Sequence, residues 1–248
     1  MQTQPKEKNS APERFLRLDK FLSDSTGLSR AEAKKRIRAG AVTVNGVIVR
    51  APEWKTALSD TVFINRRNVR YQEHVYLMLN KPAGCLSATE DRRDPVVTDL
   101  VPEQWKHFHV FPAGRLDKDT EGLLLLTDDG TFAHALTAPR RDVPKRYYAE
   151  LDGPVGEETK RLFAAGMEFE DFTAKPAQIE WDEADPSKVF ITISEGKYHQ
   201  VKRMCGRAGR QVLYLKRVSV GALMLDPELK PGEMRELTDE ELRLVRCD

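Results

Sequence analysis

Charge along this chain is divided, and the division constrains the fold before any local pattern does. Residues 14–74 carry 13 Lys/Arg against 6 Asp/Glu, a net of +7, whereas residues 75–248 carry 25 against 31, a net of −6. The 248-residue total of +1 conceals this. A basic segment beside an acidic remainder implies two separately folding parts, the smaller one suited to a polyanion. Hydrophobic residues at 40% suffice for a sizeable core. Residues 1–13 are almost without apolar side chains and read as a disordered lead-in.

Within 14–65 the pattern is two helices followed by a hairpin. Leu18, Phe21 and Leu22 make one apolar stripe, flanked by Arg14, Arg17 and Lys20. Ser29 and Glu32 have capping-box spacing, and Gly40 is a natural stop. Between them Ala33 and Ile37 face a core, while Arg30, Lys34 and Arg38 recur every fourth residue on another face. The β-branched runs on either side of Asn45-Gly46 predict a tight hairpin. Val62–Ile64 adds a strand, and the basic stretch 66–74 reads as a linker.

From 75 to 248 strand signals outnumber helix signals. Strands are expected at 75–79, 123–126, 147–151, 189–194 and 212–220, with helices over 131–137, 156–165, 198–208 and a short terminal helix capped by Thr238 and Glu241. Because the two types do not alternate strictly, a doubly wound parallel sheet is disfavoured. The expected class is α+β: a small αα-β module plus a larger mixed or antiparallel sheet flanked by helices.

Chemistry concentrates around Gly114-Arg115-Leu116-Asp117, a polar loop just before the buried run Leu123–Leu126. A carboxylate on a loop held by a rigid strand is well placed for catalysis. Taken alone, Asp117 is equally well an Asx-turn residue, and locally that is the simpler account. A second basic concentration lies at Lys197, Lys202, Arg203, Arg207, Arg210, Lys216 and Arg217, with no acid between 196 and 225. Val201, Met204, Cys205 and Ala208 have helical spacing and read as core, so the cations are expected to border a cleft.

Two resemblances extend this. Arg17-Leu18-Asp19-Lys20-Phe21-Leu22, Ser29-Arg30, and Ile37-x-x-Gly40-x-Val42-x-Val44-Asn45-Gly46, with Pro52 and Asp60, resemble the alpha-L RNA-binding motif of a small-subunit ribosomal protein. That implies phosphate contacts from Arg17, Lys20, Arg30, Lys34 and Arg38. The segment Gly114–Thr127 resembles the central motif of the pseudouridine synthases. Asn80-Lys81-Pro82-x-Gly84, Lys145-Arg146-Tyr147 and Glu195–Met204 are similar to three further motifs of that family. The wording His199-Gln200-Val201-Lys202-Arg203-Met204 and the ending Gly232-Glu-x-Arg235-x-Leu237-Thr238 resemble the RsuA branch, which acts on small-subunit ribosomal RNA.

What the resemblance implies is specific. Asp117 is the catalytic carboxylate, Lys202 its cationic partner, and Tyr147 the ring against the target base. Arg115, Lys81, Lys145, Gln200 and Arg203 are expected at the RNA. Lys is a point charge without Arg's bidentate fork, so the pairing with Asp117 should be looser than in relatives with Arg there. Tyr148 should face away from Tyr147, since successive strand residues alternate. His199 is expected to position rather than to exchange protons. Isomerising uridine exchanges no electrons or phosphates, so no cofactor and no metal are expected. His107 and His109 lack ligand spacing.

The widely spaced Cys85, Cys205 and Cys247 argue against a disulfide framework. The first residues lack a signal peptide's apolar core, and no run approaches a membrane span. The expectation is therefore a cytoplasmic monomer with no membrane partner, whose partner is ribosomal RNA, alone or in a partly assembled small-subunit ribonucleoprotein. The rival accounts are a synthase for large-subunit RNA, a non-catalytic RNA-binding assembly factor, and a carboxylate-pair nucleoside glycosidase. The last would need a second well-placed acid. Asp119 and Glu121 are nearby without forming a clear pair.

Overall fold

The computed structural model describes residues 14–138 and 141–245 and divides after Glu73 into two units. The lead-in 1–13 and Cys247 lie outside the described residues.

The small unit runs β1 (Phe15–Arg17), α1 (Leu18–Thr26), α2 (Arg30–Arg38), β2 (Val42–Val44), β3 (Val47–Ile48), β4 (Lys55–Ala57), β5 (Val62–Ile64) and β6 (Arg67–Val69). The Ser29 hydroxyl accepts the Glu32 amide at 3.2 Å, and the Glu32 carboxylate accepts the Ser29 amide at 2.9 Å, closing the capping box. Asn45 and Gly46 turn β2 into β3 with φ of 50° and 82°, as a two-residue hairpin with this twist requires. The core packs Leu18, Phe21, Leu22, Ala33 and Ile37 on the inward valines of the sheet. One boundary differs from the sequence expectation. Arg67–Val69 pairs with β5 and buries Val69, so the first part of the basic stretch 66–74 belongs to the sheet rather than to a linker. Its cations mask a strand whose apolar signal is a single valine.

The large unit contains β7 (Tyr76–Lys81), β8 (Phe111–Pro112), β9 (Glu121–Thr127), α3 (Gly130–Thr137), β10 (Lys145–Leu151), α4 (Glu157–Ala165), β11 (Met167–Glu168), β12 (Thr173–Ala174), β13 (Gln178–Asp182), β14 (Asp185–Ile193), α5 (Gln200–Arg207), β15 (Val212–Val220), β16 (Leu223–Met224), β17 (Met234–Glu236) and α6 (Asp239–Val245). The main sheet has the order β13-β14-β10-β15-β9-β7-β17. Its pairings are antiparallel except β15 with β9, so the sheet is mixed. The parallel contact aligns Gly122 with Arg217. Gly122 has φ 101°, and a Cβ there would lie 2.2 Å from the Arg217 carbonyl oxygen, so only glycine lets the strands meet. One sheet face packs on α4 and α5 through Leu124, Leu126, Tyr147, Phe163 and Met204, and the other on α3 and α6 through Leu123, Leu125, Phe132 and Val245. That two-sided burial is why β9 reads as an unbroken apolar run.

The terminal segment is locked by charge. Arg235 donates to both Glu241 oxygens, at 2.8 and 2.7 Å, and to Asp226 at 2.6 Å, while Glu241 also accepts the Thr238 amide at 2.9 Å. The Arg235 guanidinium holds the Glu241 carboxyl down at about 2, against its ordinary 4.5. A lowered carboxylate pKa stabilises the fold fully above pH 4.5 and progressively less as pH falls toward 2. Glu241→Gln should therefore lower unfolding free energy by roughly 2 kcal/mol at neutral pH. Denaturant titrations across pH should show the gap between variant and native protein closing in acid.

Candidate active site

The site is built on the loop leading into β9 and on the first turn of α5. Asp117 opens the turn 117–120 in this loop, with the Thr120 amide donating to its carbonyl at 3.1 Å. Segment 81–87 pins this loop. The Ser87 hydroxyl accepts the Leu116 amide at 3.0 Å and donates to the Leu116 carbonyl at 2.9 Å. The Gly84 amide donates to the Lys118 carbonyl at 2.7 Å. Lys81, fully buried, donates its ammonium to the carbonyls of Pro82 at 2.9 Å, Lys118 at 3.2 Å and Thr120 at 2.9 Å. Burial pushes its pKa down.

Lys81 therefore corrects an expectation. It is buried in the folded chain, where its ammonium braces the loop that carries Asp117. The resemblance implied a place at the RNA, but long side chains can turn inward when backbone carbonyls converge on one point. Gln200 is likewise 3% exposed: its amide donates to Glu195 at 3.0 Å and its oxygen accepts the Lys197 amide at 3.0 Å, shaping the loop before α5. Lys145 donates to the Val143 carbonyl at 2.8 Å, and burial, then the nearby Arg217, lower its pKa. Arg203 forks onto Asp171 and lies over the rings of Phe169 and Phe172 at 4.7 and 4.6 Å. It ties α5 to the β11–β12 hairpin instead of standing free at the cleft. Arg210 and Arg217 also spend their guanidinium groups on backbone carbonyls, of Pro154 and Leu123. Of the basic cluster, Lys197 and Lys202 line the cleft.

The cleft has a volume of about 460 Å³ and is lined by Asp117, Arg115, Tyr147, His199 and Lys202, with Ile193 and Leu215 among its apolar walls. Tyr147 is 7% exposed, while Tyr148 on the opposite face donates its hydroxyl to Glu150 at 2.9 Å, the alternation that strand geometry demands. Arg115 is exposed and makes no hydrogen bond or ion pair among the described residues. Lys202 Nζ lies 3.3 Å from Asp117 Oδ2 and 2.5 Å from Asp119 Oδ1, and His199 Nε2 lies 3.6 Å from Asp117 Oδ1. Lys202 thus divides one charge between two carboxylates, a looser partnership than a bidentate fork would make. Burial raises the Asp119 pKa, but the Lys202 hydrogen bond and charge outweigh it and hold that carboxyl low. Sequence reasoning missed Ser87, Glu195 and the Asp119–Lys202 contact. The spacing of Asp119 from Asp117 was visible, but not the cation between them.

In the small unit, cations gather on a buried carboxylate. Asp19, fully buried, accepts from Arg17 at 3.2 Å and Arg30 at 2.9 Å, with Lys34 Nζ at 3.9 Å. Burial raises the Asp19 pKa, yet Arg17 and Arg30 more than offset this and lower it. Each of the three cations stays about half exposed, at 51%, 45% and 42% of its side chain, so the cluster presents net positive charge at fixed spacing. Lys20 pairs with Asp24 at 2.6 Å, and Arg38 is exposed. Among the described residues no group of three or more His, Cys, Asp or Glu could hold a metal, and no helix is long and apolar enough to cross a membrane.

The chain is similar to known proteins along nearly its whole length. A family model described as RNA pseudouridylate synthase matches residues 75–207, and one described as S4 domain matches residues 16–62. The chain is 45% identical over 234 residues to the RNA pseudouridine synthase YtzG of Bacillus subtilis, itself uncharacterized, covering 93% of this chain and 98% of that one. It is 43% identical over 236 residues to ribosomal small subunit pseudouridine synthase A of Escherichia coli K12, covering 93% and 100%. A crystal structure of a pseudouridylate synthase superposes with a TM-score of 0.65 at 39% identity, over 93% of this chain and 99% of that one. Identity at this level along nearly the whole chain goes well beyond a shared fold: the protein belongs to the RNA pseudouridylate synthase family, enzymes that isomerise uridine to pseudouridine.

Proposed function

We propose that the chain isomerises one uridine of small-subunit ribosomal RNA, with Asp117 as the reacting carboxylate. The observation that carries this reading is the Asp117 side chain, held 3.3 Å from the Lys202 ammonium in a cleft also lined by Tyr147. The choice of RNA is supported by the identity to the Escherichia coli enzyme named for the small ribosomal subunit.

In the reaction the bond from the sugar to ring nitrogen one breaks, the base turns, and carbon five bonds to the sugar. The hydrogen on carbon five leaves to solvent, and nitrogen one takes one up. A stacked uridine must first be extruded, at a cost of a few kcal/mol. Arg115, exposed at the rim, is the group we assign to holding the backbone or displacing the base. Asp117 acts ionised, with the Lys202 ammonium 3.3 Å from its carboxylate. Tyr147 offers its ring to the uracil. Arg17, Lys20, Arg30, Lys34 and Arg38 of the S4 domain supply phosphate contacts that offset the cost of extrusion.

The test is hydrogen release from ribosomal RNA labelled at uracil carbon five. Release from small-subunit RNA and not from large-subunit RNA is the expected result. Release from large-subunit RNA alone overturns the substrate. No release from either, including partly assembled ribonucleoprotein, overturns turnover itself in favour of an assembly factor.

A further inference from the structure

Among the described residues of the large unit Tyr198 is the most exposed large hydrophobic side chain, at 74%, and it lines the active cleft. It is nevertheless placed. Its ring stacks on that of His199, with centroids 3.8 Å apart and planes 19° from parallel. His199 in turn has φ 51° and ψ 29°, the left-handed region that residues with a Cβ seldom enter. That conformation turns the chain into α5 and sets the imidazole with Nε2 3.6 Å from Asp117. Strained backbone at a site is retained where the surroundings hold it, here the Glu195–Gln200 network on either side of the loop.

One face of the Tyr198 ring is therefore covered by His199, while the residue as a whole stays largely exposed. Its hydroxyl makes no hydrogen bond among the described residues, so neither core packing nor a polar contact accounts for the position. The ring in the cleft that suits the target uracil is Tyr147, 7% exposed beside Ile193 and Leu215. Tyr198 is an exposed part of the same lining, which also holds the exposed cations Lys197 and Arg115, groups that suit phosphates. An exposed aromatic ring in a cleft that also carries cations fits an unstacked nucleobase.

We propose that Tyr198, backed by His199, is a stacking platform for the nucleobase adjacent to the target uridine in the substrate strand. This rests on the reading of Asp117 and its cleft as the site of isomerisation. It implies that the enzyme takes its uridine from a stretch in which a neighbouring base is also unstacked.

The test is single-turnover hydrogen release from carbon-five-labelled small-subunit RNA with the full chain, its Tyr198→Ala and its Tyr198→Phe variants. Tyr198→Ala should raise the half-saturating concentration about tenfold, the usual scale for one base–aromatic stack, and leave the saturating rate within about twofold. Tyr198→Phe, which keeps the ring, should match the native protein in both. An unchanged half-saturation in Tyr198→Ala overturns the platform. So does a fall in saturating rate alone, which would put the ring on the target base, or a phenylalanine variant as weak as the alanine one. Release by the native protein with an unaffected Tyr198→Ala removes the platform only. No release by the native protein removes the functional reading, and the platform with it.

Discussion

Asp117→Asn should abolish hydrogen release from uracil carbon five, with a loss of at least about a thousandfold in turnover, while RNA binding and folding persist. Asparagine keeps the shape of aspartate and can still meet Lys202, but it is neutral and cannot act as nucleophile or base. The loop should not move, because it is held by contacts that do not involve the Asp117 side chain: Ser87 on Leu116, Gly84 on Lys118, and Lys81 on Lys118 and Thr120. Asp117 is partly exposed, so the exchange leaves no buried group unpaired. Filter binding of ribosomal RNA should stay within a few fold of the native protein, since the S4-domain cations are untouched, and the thermal midpoint should barely shift. Turnover within tenfold of native would remove Asp117 as the reacting group.

Lys81→Met should be nearly as damaging by a different route. Methionine fits the volume but donates nothing, so the Pro82 and Thr120 carbonyls lose a partner and Lys118 keeps only the Gly84 amide. A buried carbonyl left unsatisfied costs about 1–3 kcal/mol. Removing a buried charge offsets part of that, since the ammonium was itself desolvated, and a net loss of roughly 2–3 kcal/mol is expected. The catalytic consequence should exceed the thermodynamic one. The Lys118 and Thr120 carbonyls belong to residues on either side of Asp119, and Lys118 follows Asp117, so a loop shift of about 1 Å is expected to cost on the order of a hundredfold in turnover. Denaturant melts and single-turnover rates would separate the two effects. A variant that is destabilised yet fully active would show that the loop is held without Lys81. A variant with weakened RNA binding and unchanged turnover would return Lys81 to the RNA surface, against its complete burial.

These two residues mark the boundary between what is local and what is not. The capping boxes at Ser29–Glu32 and Thr238–Glu241, the Asn45-Gly46 turn, the strand at 212–220 and the opposite faces of Tyr147 and Tyr148 could all be read from the chain. Each depends on groups a few residues apart, where backbone geometry leaves few choices. Three of the four family motifs contribute residues to one cleft, among them Asp117, Tyr147 and Lys202, while Asn80–Gly84 lies outside its lining.

The fate of individual charges could not be read this way. Lys81, Gln200 and Arg203 carry polar groups that suggested RNA, and the fold turns all three onto partners of their own chain. Lys81 meets carbonyls 37 and 39 residues away, Arg203 an acid 32 away, and Lys202 an acid 83 away. Whether a cation is left facing solvent or is buried against a carbonyl depends on which distant segment arrives beside it, and local pattern carries no information on that. The parallel β9–β15 contact and the glycine it requires are of the same kind. By itself, the sequence determined the helices and the longer central strands, the division of charge and the segments near the chemistry, while short or edge strands such as Arg67–Val69, Gln178–Asp182 and Met234–Glu236 were not legible in it. Only the tertiary structure decided which charges remain free to meet RNA, because burial and pairing are properties of chain segments that become neighbours only when folded.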